Sequence, residues 1–316
     1  YTLICSFVLF NTPTFLIHIY YLVLERFKIL LAWGVFTFVG QVLAVVIPVF
    51  WGMGLAVSFQ ALVVFSMVRF GWLIWLVGRH GLMEFDWTVA RTFLLLMTPL
   101  ALHSLIGNSI EYVDSLIVKS YFEADEIFAI FRYGAREFPL SVLLVSAVAA
   151  AMIPEIIEEE ATGFEKMKAK INQLSNFLYP ISGGLMLLSP FLFPLVYSED
   201  FAASAVVFNV YLLILSSRIL LPQVVVLSRQ KNYVLVVCSV IELILNIGLS
   251  LIGVQYFGLV GIAFASVIAF LLFKIMLIIY NAKVLNVPLS KYVSIGRYIG
   301  FNTMLIICYV ASLWWS

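Results

Sequence analysis

The chain has 316 residues, 64% of them apolar and only 11% Asp, Glu, Lys or Arg, against about 45–50% and about 25% in an ordinary soluble domain. So few charges do not furnish an aqueous surface for a chain of this length, which argues against a soluble enzyme. A net charge of +1 and a mean hydropathy of +1.10 argue equally against disorder, nucleic-acid binding and a basic peripheral protein.

The expected fold is therefore all-α and polytopic, with lipid as the solvent for most of the chain. A bilayer core of about 30 Å takes about 20 apolar residues per helix. Runs of that kind fall at roughly 1–24, 29–51, 55–77, 92–119, 127–154, 176–197, 203–227, 233–254, 257–282 and 298–315, about ten in all. The connections alternate in charge. Arg26 and Lys28 follow the first run, Arg79 and Arg91 the third, Lys166, Lys168 and Lys170 the fifth. Arg229 and Lys231 follow the seventh, and Lys283, Lys291 and Arg297 the ninth. The intervening connections, 51–54, 122–126, 198–200 and 255–258, hold no Lys or Arg. By the positive-inside rule the basic connections face the cytoplasm, so residue 1 is expected on the outer side of the membrane. No basic start and cleavage site precedes the first run, and Tyr1 is not an initiator Met. The chain is expected to be a piece of a longer protein whose first spans lie upstream.

Between the fifth and sixth runs, Phe164, Met167, Ile171 and Leu174 recur at three- and four-residue spacing with lysines between them. That pattern predicts an amphipathic helix over 155–175, lying on the cytoplasmic interface or packing on its own protein. Cys5, Cys238 and Cys308 sit in separate apolar runs without a CxxC or His/Cys cluster, and read as structural thiols rather than a disulfide framework or a metal site. No cofactor is indicated.

The chain also echoes itself. Leu24–Lys28 and Leu227–Lys231 close the first and seventh runs at an offset of 203 residues. Gln41 and Glu242 then intrude at similar depth, Gly52–Gly54 and Gly258–Gly261 open the following helices, and Arg69 and Lys274 lie further along them. In order and in orientation, these matches suggest two lobes of six helices related by an axis along the membrane normal. Residues 1–78 would be the last three helices of the first lobe, 79–91 a cytoplasmic linker, 92–283 the complete second lobe, and 297–316 an additional helix.

Several charges lie inside the spans, where each costs about 2.5–3.5 kcal/mol at a helix centre on insertion scales. They include Arg69, Glu111, Asp114, Arg132, Arg136, Glu137, Arg218 and Glu242, with Asn108 and Ser109 beside the first carboxylates. Arg132 and Arg136 are four apart and share one helix face, while Asn108, Glu111 and Asp114 step by three along their own helix. The helices carrying the two sets are joined by a short loop, so a cationic pair can meet a carboxylate pair in the outer half of the membrane. The arginines suit phosphate oxygens as well as carboxylates; the competing reading is a structural ion-pair cluster with snorkelling arginines. For Arg218 and Glu242, deeper in their spans, a polar cavity is favoured. His18 and His103 read as hydrogen-bonding rather than transporting residues. Pro13, Pro48, Pro99, Pro139, Pro190 and Pro222 fall inside spans and are expected to kink them.

At this point the chain resembles the polysaccharide (O-antigen type) flippases of the multidrug/oligosaccharidyl-lipid/polysaccharide exporter superfamily. The resemblance rests on Val113-Asp114-Ser115-Leu116-Ile117-Val118, on Phe131-Arg132-Tyr133-Gly134-Ala135 with Pro154-Glu155 at the far end, on Leu192–Ala203, and on Gly258-Leu259-Val260-Gly261-Ile262-Ala263. It implies that the ten runs are helices four to thirteen of a two-lobed transporter. Such a protein carries a lipid-linked, pyrophosphate-bearing oligosaccharide from the inner to the outer leaflet, driven by H+ or Na+, with lipid-linked oligosaccharide and membrane lipids as its partners. In that frame Arg69, Arg132, Arg136 and Arg218 are substrate-binding candidates. Glu111, Asp114 and Glu242 are ion-coupling candidates, and Asn108, Ser109 and Glu137 line the cavity. A peptidoglycan lipid-precursor flippase and a multidrug/cation antiporter are the alternatives in the superfamily. An intramembrane glycan-processing enzyme would need a catalytic constellation on sizeable loops, and the outer loops here are a few residues each.

Overall fold

The computed structural model describes residues 2–80 and 86–314, and shows an all-α polytopic membrane protein. Among the described residues, nine segments are long and apolar enough to cross a bilayer. One of them is 52 residues long and bent back on itself, so it supplies two crossings, and all ten expected runs have a counterpart. The chain divides into two compact units, Tyr1–Trp87 and Thr88–Ser316. Of the expected linker over 79–91, residues 81–85 lie outside the described residues.

The first unit comprises α1 (Thr2–Asn11) and α2 (Phe15–Val23), joined by a tight turn over Thr12–Thr14, then α3 (Phe27–Phe50) and α4 (Leu55–His80). Its buried heart is Ile17, Tyr21, Leu73 and Leu76. Most of α3 is apolar yet exposed, as a surface solvated by acyl chains requires.

The second unit begins with α5 (Trp87–Tyr121). Two of its later spans are interrupted. One is α6 (Asp125–Gly134) followed by α7 (Pro139–Glu158); after α8 (Glu160–Val196), the other is α9 (Ala202–Leu212), α10 (Leu215–Arg218) and α11 (Pro222–Ser228). Pro139 and Pro222 therefore open helices instead of kinking them, because a missing N–H costs nothing in a first turn. Pro48, Pro99 and Pro190 do lie within helices. The unit ends with α12 (Asn232–Lys283) and α13 (Ile295–Ser312).

In α12 the chain reverses at Gly258, whose φ of 57° and ψ of −136° suit a residue without Cβ. The two arms then touch: a Cβ on Gly261 would sit 2.0 Å from the Gly253 carbonyl oxygen. The segment expected as a separate amphipathic helix over 155–175 is divided instead. Residues 155–158 finish α7, Glu159 is extended (φ −145°, ψ 104°), and the rest runs unbroken into the next span as α8. Its stripe of Phe164, Met167 and Ile171 is buried in the unit's largest apolar cluster, so this face packs on its own protein. Lys168 Nζ donates to the Ser290 carbonyl at 3.0 Å and Asn172 Nδ2 to Ser294 Oγ at 3.0 Å, fixing that end to the loop before α13.

The internal echo is carried by backbone conformation more than by residue identity. Leu24 (φ −81°, ψ 4°) and Arg229 (φ −94°, ψ 5°) cap α2 and α11. The next residues, Glu25 and Gln230, both take left-handed φ values, 55° and 54°. The Arg26 N–H then donates to the Tyr21 carbonyl at 3.0 Å, as the Lys231 N–H does to Val226 at 3.1 Å. The helices restart at Phe27 and Asn232, 205 positions apart. The register is thus two residues longer than the expected 203. It matches Arg69 with Lys274 as expected, but pairs Gln41 with Asn246 rather than with Glu242.

Candidate functional site

Polar side chains inside the second unit gather in three places. The first lies where α5 meets α6. Arg132 Nη1 donates to Glu111 Oε1 at 2.5 Å, and Arg136 Nη1 stands 3.7 Å from the same oxygen. The cationic pair therefore meets one carboxylate and not the expected two. All three side chains are partly exposed. Asn108 is exposed, and Ser109 spends its hydroxyl on the Leu105 carbonyl one turn back.

Asp114 is elsewhere. A step of three residues turns a helix about 300°, not a full circle, and here that difference points Asp114 towards α9 and α12. It is 1% exposed. Tyr211 Oη donates to its Oδ2 at 3.3 Å, Ser250 Oγ to its Oδ1 at 3.2 Å, and Ser266 Oγ also to Oδ2. Asn246 Nδ2 donates to Ser266 Oγ at 3.1 Å, while the fully buried Asn246 Oδ1 has no hydrogen-bond donor. No cationic side chain pairs with Asp114 among the described residues. Asp114 is thus surrounded by the hydroxyls of Tyr211, Ser250 and Ser266, and oxygen atoms are the ligands that hard cations take. Among the described residues no three His, Cys, Asp or Glu converge, so a transition-metal centre has no counterpart here.

The third place joins α7, α10 and α12. Arg218, the last residue of α10, pairs with Glu137, which lies in the non-helical stretch between α6 and α7. The Arg218 guanidinium also lies 5.1 Å from the centre of the Phe270 ring, and Lys274 Nζ lies 5.0 Å from it. Lys274 is 3% exposed and bonds Gln223 Oε1 at 2.9 Å. Glu242 is buried within reach of the charges of Lys274, Arg218 and Glu137. Beside it His103 Nδ1 meets Ser239 Oγ at 2.5 Å and the ring stacks on Phe273, the hydrogen-bonding role read from the sequence.

In the first unit Arg69 is 2% exposed and its Nη1 donates to Asn11 Oδ1 at 2.7 Å. Gln41 Nε2 approaches the same oxygen at 3.4 Å, and Arg69 Nε has no acceptor. The single acid among residues 1–80 is Glu25, at the turn between α2 and α3.

Sequence reasoning did not assign Asn11, Tyr211, Asn246, Ser250, Ser266 or Lys274 to a site. A signal for part of this set was present: Ser239, Glu242, Asn246 and Ser250 form a polar stripe at three- and four-residue spacing along an otherwise apolar helix. Outside the spans the surface electrostatics are ordinary. Lys119, near the end of α5, donates to Asp125 at the start of α6. Burial pushes the Tyr292 phenol up to about 12.

The fold and these intramembrane polar clusters define a multi-pass α-helical membrane protein built around buried charge. Among solved structures it is similar to the lipid II flippase MurJ in an inward closed conformation, with a TM-score of 0.60 at 18% identity. The match covers 87% of this chain and 59% of that one, and it establishes a shared fold. No family model matches the chain, and no curated protein does.

Proposed function

We propose that the chain belongs to a transporter that moves a lipid-linked, pyrophosphate-bearing oligosaccharide from the inner to the outer leaflet of a bacterial-type inner membrane by alternating access. The observation that carries this reading is the set of partly exposed arginines, Arg132, Arg136 and Arg218, held among apolar helices in a flippase fold. Cations kept in lipid at such cost mark the path of an anionic cargo. Arg69 is the corresponding cation of the first unit. Asp114, with Ser250, Ser266, Tyr211 and Asn246, is the site for the coupling ion, and its oxygen-rich ring favours Na+ over H+. Glu111 holds Arg132 and Arg136 in place and Glu242 lies buried near the charges of Lys274 and Arg218, while Asn108, Ser109 and Glu137 line the polar path. The basic connections lie in the cytoplasm and residue 1 on the outer side.

A second reading takes a peptidoglycan lipid precursor as the cargo. The likeness to a lipid II flippase favours it. Both cargoes present a pyrophosphate to the same arginines, and they differ in the sugar.

The test is deletion of the gene that encodes the chain, followed by surface labelling of lipid-linked glycans. Loss of a labelled oligosaccharide from the outer leaflet is the expected result. Loss of the peptidoglycan precursor alone selects the second reading, and normal export of both overturns the transport reading.

A further inference from the structure

Two spans of the second unit are broken, and one ion pair joins the breaks. The first break follows Gly134: Ala135 turns out of the helix (ψ 57°), Phe138 is extended (ψ 110°) and α7 restarts at Pro139. The second follows Arg218, runs through Ile219–Leu221, and ends where α11 starts at Pro222. Broken backbone is tolerated at membrane depth only where protein or a polar cavity surrounds it. Here Ile219, Leu220 and Leu221 are buried in protein, and the first break borders a narrow seam lined by Glu137, Ser141, Ser182 and Tyr211, too tight for a water molecule. The Ser182 hydroxyl in that seam is fully buried and has no partner.

The segments before the breaks form one tight pair. Ser204 Oγ donates to the Ile130 carbonyl at 2.8 Å, and a Cβ on Gly134 would sit 2.5 Å from the Ser204 carbonyl oxygen, so α6 and α9 move together or not at all. The segments after the breaks, α7 and α11, pack on each other. Between the two pairs, Glu137 holds Arg218. The Glu137 and Arg218 side chains are 32% and 18% exposed, so a ligand meets the edge of the pair while the paired Glu137 Oε2 stays buried; Lys274 beside them is 3% exposed. Arg218 Nε is buried without an acceptor.

We propose that Glu137 is a built-in competitor for the anionic group of the cargo at Arg218, and that the pair is a latch between the α6/α9 and α7/α11 pairs. A diphosphate offers several oxygens to a guanidinium where Glu137 offers one carboxylate. Its arrival at Arg218 releases Glu137 and removes the ion pair between the breaks, while α8 and α12 keep their packing on members of both pairs. This assignment rests on the transport reading above for the identity of the anion.

The test uses the purified full chain in detergent with inorganic pyrophosphate as the probe. In the wild type, pyrophosphate raises carbodiimide labelling of Glu137, read by mass spectrometry. Glu137→Gln binds pyrophosphate at least about fivefold more tightly, the scale of a typical coupling between two sites, and Arg218→Lys binds it more weakly. Labelling of Glu137 that does not change with pyrophosphate overturns the latch, and needs no variant to fold. So does a Glu137→Gln protein that folds and binds as the wild type does. Neither readout depends on flipping. Exposure of Glu137 by pyrophosphate together with normal glycan export in the deletion strain sinks the cargo reading and leaves the latch. Export lost in the deletion strain with Glu137 unmoved does the reverse.

Discussion

Ser250 Oγ lies 3.2 Å from Asp114 Oδ1 although 136 residues separate them in the chain. That contact draws the first arm of α12 onto α5 around an unpaired carboxylate. Replacing Asp114 with Asn keeps the shape and removes the charge that the proposed coupling ion would meet. Transport by Asp114→Asn is expected to fall by about 5–150-fold, the range of a lost coupling of 1–3 kcal/mol, and to lose its dependence on Na+. Uptake of labelled cargo into vesicles with and without a Na+ gradient measures both; a variant as Na+-dependent as the wild type refutes the assignment.

Arg132 and Glu111 predict a different balance. Their side chains are 32% and 47% exposed, and a pair so open to solvent contributes about 0.2–1 kcal/mol to stability. Arg132→Ala should therefore leave the thermal midpoint almost unmoved while transport drops. A large loss of stability with normal transport would make the pair structural.

The reversal at Gly258 depends on the contact between Gly253 and Gly261. Gly261→Ala places a methyl 2.0 Å from a backbone oxygen, an overpacking that costs about 1–3 kcal/mol or more. Gly184, in α8, has nothing within 4 Å of its would-be Cβ, and Gly184→Ala is expected to be neutral or stabilising by about 0.5–1 kcal/mol. Comparing thermal unfolding of the two variants isolates the hairpin contact from helix propensity.

Tyr292 sits outside the spans with its hydroxyl buried and unpartnered. Because its folded pKa is raised to about 12, above the ordinary value of about 10, the folded state holds the proton more tightly than the unfolded one. The sign follows: this contribution to stability is complete below about pH 10 and declines as pH rises towards 12. Tyr292→Phe should unfold at a similar temperature at neutral pH and lose less stability than the wild type between pH 10 and 12. An identical alkaline slope in the two proteins would count against it.

Much of the fold was legible in the residues themselves. Each expected span has a helical counterpart, because hydropathy over about 20 residues is a local property that the bilayer thickness reads directly. The echo between the two stretches was visible too, but the register of the matching turns was not. Shared charges near Arg26 and Arg229 suggested one offset, whereas the left-handed residues Glu25 and Gln230 fix another, since a turn constrains φ and not the identity of its neighbours. The interruptions at 135–138 and 219–221 were hidden within continuous apolar runs. Pro139 and Pro222 marked them, yet a proline in a hydrophobic run reads equally as a kink or a first turn.

The 11% of charged residues already separated a lipid-solvated chain from a soluble one, and their alternation between connections set an expected orientation. Sequence alone also named most of the charges that lie within the spans, though it left Lys274 out of the site. What only the tertiary structure decided is which of them meet: Glu111 with Arg132, Asp114 with three hydroxyls, and Glu137 with Arg218. Spacing along a helix gives the relative azimuth of its side chains, but the helix it faces is chosen by packing across the whole unit.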